Sequence, residues 1–139
     1  MRKLKWAILL TAPFVGASPN AVFALVPDLS SDPTAIVQAQ VDAFNDGDAD
    51  RFASFYADNI EMFDLGPNAK PTLSGRSALI ARYKPMLLKY HPKATVITRT
   101  VSDSFVIDKE TTEAGGRSST GIAIYEIENS KIRRVWFTP

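Results

Sequence analysis

Apolar residues Ile36, Val37, Val41 and Phe44 recur at helical spacing, with Gln40 on the same face. Asp32 before Pro33 supplies a cap and a first helical position where the missing N–H costs nothing. Gly47 suits the left-handed residue after a helix end. Asp48 then caps a second short helix carrying Phe52, Phe55 and Tyr56 as one stripe. A helix of about ten residues is marginal alone, so both must lie on a common surface. The pattern next changes to alternation, with Ile60, Met62 and Asp64 on one face of a strand predicted over 60–64. Gly66, Pro67 and Pro71 mark a loop, and Leu73-Ser74-Gly75 leads into a third helix capped by Ser74 or Ser77. Leu79, Ile80, Tyr83 and Leu87 form its buried face, and Pro85 is expected to kink it.

From Lys93 the pattern is β, with strands predicted over 94–101, 104–112, 118–128 and 131–137. Gly115-Gly116 and Glu128-Asn129-Ser130 are the later turns. Strands joined so closely pair as an antiparallel meander. Helices first and a long meander last predict an α+β fold with helices on one sheet face.

A length of 139 residues fits one domain with a real core. The chain has no Cys and a single His91, which removes thiol chemistry, disulfides and any multi-His metal site within one chain. No metal and no cofactor are expected. Arg2, Lys3 and Lys5 precede an apolar run, and Val22-Phe23-Ala24 offers a small-residue cleavage site. Residues 1–24 therefore read as a signal peptide, 25–32 as a linker and 33–139 as the domain. An uncleaved anchor is the other reading, but the run is short and broken by Pro13. The location expected is secreted or periplasmic, with no stable membrane insertion after cleavage. Without residues 1–24 the balance is 13 basic to 15 acidic residues, which gives no electrostatic case for nucleic acid.

Ala43-Phe44-Asn45-Asp46-Gly47-Asp48 followed by Phe55-Tyr56-Ala57-Asp58-Asn59 resembles the opening of the nuclear transport factor 2-like superfamily. Leu73-Ser74-Gly75-Arg76 resembles its entry to the third helix. Gly121 to Ile127 and Lys131 to Trp136 resemble its closing hairpin. Within that superfamily the chain is most similar to the SnoaL-like and steroid Δ-isomerase-like branches. The resemblance implies a cone: three helices in the N-terminal half cover the concave face of a curved antiparallel sheet and enclose an apolar cavity. It also implies a homodimer through the outer sheet face, where Trp136 lies opposite in parity to Val135 and Phe137.

By the same resemblance, Asp64 falls where ketosteroid isomerases carry their general base. Gln40 stands where they place an oxyanion-donating Tyr, and Tyr125 where they place a protonated Asp. A position beside Ile60 and Met62 would desolvate Asp64 and raise its basicity. The plainer readings are an Asp that starts the Gly66-Pro67 turn and a Tyr125 that is an ordinary strand aromatic. Val37 and Val41, with Ile60, Met62 and Tyr83, are expected to wall the cavity. Ala123, Val135 and Phe137 complete it from the late strands. His91 reads as a loop residue, since no nucleophile-elbow pattern accompanies it. The function expected is binding of a small apolar molecule, with cofactor-free isomerase- or cyclase-type proton transfer as its catalytic form. The alternatives are a non-catalytic ligand-binding module and a dimerisation module with a filled core.

Overall fold

The computed structural model describes residues 31–67 and 70–139, so the expected signal peptide and most of the linker lie outside the described residues. Helices α1 (Pro33–Asp46) and α2 (Ala49–Ser54) come first, then strands β1 (Tyr56–Asp64) and β2 (Pro71–Ser74). Helix α3 (Arg76–Tyr90) precedes β3 (Lys93–Ser102), β4 (Phe105–Ala114), β5 (Arg117–Glu128) and β6 (Lys131–Phe137). The strands form a single six-stranded sheet in the order β2-β1-β6-β5-β4-β3. Every pairing is antiparallel except β1 with β6, which run parallel. This is the α+β cone expected of the sequence.

The first helix forms as its residues dictate. Asp32 accepts from Thr34 N at 3.0 Å, Pro33 opens the helix, and Gly47 closes it at φ 71°. Asp48 caps α2 by accepting from Arg51 N at 3.0 Å. Phe52 is buried on α2, but Tyr56 already belongs to β1, which begins four residues earlier than alternation predicted. Strand β2 lies where the sequence predicts loop, because four residues opening on Pro71 carry too little pattern to register. Helix α3 starts at Gly75 with φ 90° and no side-chain cap, so neither Ser74 nor Ser77 has the expected role. It also runs on through Pro85.

The core lies between the helices and the concave sheet face. Val37, Phe52, Ile60, Met62, Leu79, Val106, Ile132 and Val135 are all buried there. Four of the five strand pairings carry a register shift, including one in β3 between Val96 and Thr98 and one between Glu126 and Ile127 where β5 meets β6. Asn45, near the end of α1, hydrogen-bonds β3 in both directions: Nδ2 donates to Ala94 O at 2.9 Å, and Ala94 N donates to Oδ1 at 2.6 Å. This side chain pairs with a strand as another strand would, and it holds α1 over the mouth of the cone.

Candidate functional site

The helices and sheet leave a cavity of about 310 Å³ between them. Helix α1 lays Gln40, Val41 and Phe44 over it, α2 adds Phe52, and α3 adds Tyr83 and Met86. Tyr56, Glu110, Tyr125 and Phe137 rise into it from the sheet. Strand period 2 explains Glu110: it follows buried Val106 and Asp108 on the inward face of β4.

Four aromatic rings pack as one group. Phe52 lies 4.9 Å from Tyr83 and 5.0 Å from Tyr56, centroid to centroid, and 5.9 Å from Phe44. Beside them Tyr125 Oη donates to Glu110 Oε1 at 2.7 Å. Burial pushes the Tyr125 phenol well up, and neighbouring Glu110 adds to the effect, so the hydroxyl remains a donor. Burial raises the Tyr56 and Tyr83 phenols as well. Glu110 is itself pushed up from the ordinary carboxylate value, chiefly by burial and then by Asp108, against the lowering effects of the Tyr125 hydrogen bond and Arg99. Gln40 is 5% exposed, and its Oε1 is the single buried side-chain polar atom among the described residues that has no hydrogen-bond partner.

Behind Glu110, Asp108 is fully buried and held edge-on by Arg99, with Nε to Oδ1 and Nη2 to Oδ2 both at 2.7 Å. Arg99 Nη1 also donates to Gln38 Oε1 of α1 at 3.0 Å. This ion pair joins helix to sheet and does not line the cavity.

Of the residues expected from sequence, the fold brings Gln40, Val41, Tyr83, Tyr125 and Phe137 together around the cavity. Val37, Ile60, Met62 and Val135 lie behind the wall as packed core, and Ala123 faces an adjoining cleft. Asp64 is a correction. It shares strand parity with Ile60 and Met62, but it is the last residue of β1, it is exposed, and it does not line the cavity. Leu65 N still donates to Phe137 O at 2.7 Å, and the chain bends and turns over residues 65–67, so the turn-starting reading describes its position. The carboxylate inside the cavity is Glu110, which sequence reasoning missed. Alternation places Val106, Asp108 and Glu110 on one face, but nothing in the sequence marks that face as inward.

The SnoaL-like domain model matches residues 37–135, most of the chain. The chain belongs to the SnoaL-like domain family. No curated protein matches it. Among solved structures, this SnoaL-like domain is similar to an NTF2-like protein of unknown function from Cytophaga hutchinsonii (12% identity, 76% of this chain and 88% of that one, TM-score 0.64). It is similar to an LEH-like epoxide hydrolase from M. tuberculosis (13%, 76% and 80%, TM-score 0.64). It also resembles a computationally designed 17-OHP binder (13%, 77% and 90%, TM-score 0.66). At these identities the likeness establishes the nuclear transport factor 2-like fold.

The environment of Glu110 in the SnoaL-like domain predicts a pH effect. A folded-state value raised above the unfolded one gives stability that is present below the ordinary value of 4.5 and lost as pH rises through the folded value. Glu110→Gln removes that ionisation and keeps an acceptor for Tyr125. The variant should melt at a higher temperature than wild type at pH 7, with the gap closing toward pH 4. Scanning calorimetry across that range checks it, and a variant less stable at pH 7 would refute the assignment.

Proposed function

We propose that this SnoaL-like domain is a secreted or periplasmic protein that binds a small, largely apolar molecule in its cone cavity. The observation that carries the reading is the cavity: about 310 Å³ walled by Phe44, Phe52, Tyr56 and Tyr83 around a few polar groups. Small-molecule sites are of this kind, concave and mostly apolar, with volumes upward of roughly 300 Å³. A designed 17-OHP binder with the same fold supports this use of the cone. Binding takes precedence over proton transfer by Asp64, because a general base must reach the proton it abstracts and Asp64 stands exposed, outside the cavity lining.

The test uses N-phenyl-1-naphthylamine, a neutral apolar probe that fluoresces on leaving water. The purified domain should enhance its emission saturably at micromolar concentrations. Val41→Trp, which fills the space from α1, should remove the enhancement without unfolding the domain. A wild-type domain that leaves the probe dark would defeat the reading.

The location rests on the basic start, the apolar run and Val22-Phe23-Ala24. A homodimer is proposed through the outer sheet face, where Phe63 stacks on Trp136 at 5.5 Å and Ile124 stands opposite Trp136 across the β5–β6 pair. Such a contact must bury at least about 1,000 Å². Protein recovered from the periplasm or medium should have an intact mass that begins near Leu25. Light scattering should give twice that mass, falling to one copy in Trp136→Glu. A full-length membrane-bound product, or a wild-type monomer at micromolar concentration, would overturn the corresponding half.

A further inference from the structure

Resting on the ligand-binding reading above, we propose that the cavity selects an apolar molecule bearing a protonated amine, held between Glu110 and the aromatic group. The polar groups that meet the cavity are unequal in kind. Gln40 lines the cavity, but its Oε1 is inaccessible from it. Glu110 has one carboxylate oxygen occupied by Tyr125 Oη at 2.7 Å, and it lacks an ion-pair partner among the described residues. No Lys, Arg or His lines the space. Arg99, whose charge reaches Glu110, is engaged along its edge by Asp108 at 2.7 Å.

Aromatic faces complete the case. Phe44, Phe52, Tyr56 and Tyr83 line the same cavity, and their ring faces attract a desolvated cation. An ammonium therefore offsets Glu110 and meets the rings at once. A neutral hydroxyl can donate to Glu110 but does not offset its charge. A carboxylate opposes Glu110 directly. The apolar remainder of the ligand packs against Val41, Met86 and Phe137.

The experiment displaces N-phenyl-1-naphthylamine with three competitors sharing one naphthyl body: 2-naphthylmethylamine, 2-naphthylmethanol and 2-naphthoate, at pH 7. The amine should compete about tenfold or more better than the alcohol, as a charge-assisted contact to a desolvated carboxylate requires. The acid should be weakest. Glu110→Gln should bring amine and alcohol to within about twofold of each other, each measured against the probe's own affinity for that variant. An alcohol that equals the amine in the wild-type domain overturns the inference and leaves the ligand-binding reading standing. So does an amine advantage that survives Glu110→Gln. A probe that never binds removes both.

Discussion

Arg99→Ala should cost the domain about 3–5 kcal/mol of stability, because it strands a buried carboxylate without its partner. Asp108 is 0% exposed, and both its oxygens are held by the guanidinium at 2.7 Å. The same side chain reaches Gln38 on α1 at 3.0 Å, and Gln38 in turn donates to Asp42 at 2.8 Å. Losing Arg99 therefore removes a tie between helix and sheet as well as a counter-charge. Domains of this size are stable by about 5–15 kcal/mol, so the loss is a large share of the total. The pair is also expected to be replaceable. Two apolar residues of similar volume, Arg99→Met with Asp108→Leu, should recover most of the loss, since neither charge then needs solvation. Urea unfolding of the single and double variants measures both. A single variant within about 1 kcal/mol of wild type would show that the carboxylate is served by something else.

The ion pair shows why part of this molecule was not legible in its sequence. Plain alternation along β3 from Ala94 and Val96 would put Thr98 and Thr100 inward and Arg99 outward. The register shift between Val96 and Thr98 reverses that, and Arg99 comes to face Asp108. A single extra residue in a strand moves every later side chain to the other face, and nothing in Val96-Ile97-Thr98 announces it. The fold class was legible because it rests on long signals: the spacing of Ile36, Val37, Val41 and Phe44, the caps at Asp32 and Asp48, and the late β run. Gln40 and Tyr125 were legible as a pair facing one space, through family likeness and parity together. Asp64 was misplaced for a different reason. Parity gives the face a residue takes, but not how far along the strand that face stays buried. Glu110 was missed because a Glu within a Thr-rich strand reads as surface until its neighbours Val106 and Asp108 are known to be buried.

Phe52→Ala should cost a further amount of similar size, about 3–5 kcal/mol, by loss of buried ring area and the void left behind. Helix α2 has six residues, far too few to persist unaided, and its buried residues are Ala49, Phe52 and Ala53. Phe52 is the only large one of these, and it anchors the helix by its contacts with Phe44, Tyr56 and Tyr83. Those three rings also line the cavity, so the void opens into the space proposed for the ligand. Phe52→Leu keeps most of the volume and should cost well under half as much. Chemical unfolding gives the two losses, and hydrogen exchange places them. Amides from 49 to 55 should lose protection first in the alanine variant, because the helix loses its hold on the core before the sheet does. Equal losses for leucine and alanine would mean that ring shape rather than buried volume holds α2. An alanine loss below about 1 kcal/mol would mean that α2 is held mainly by its Asp48 cap and its chain connections.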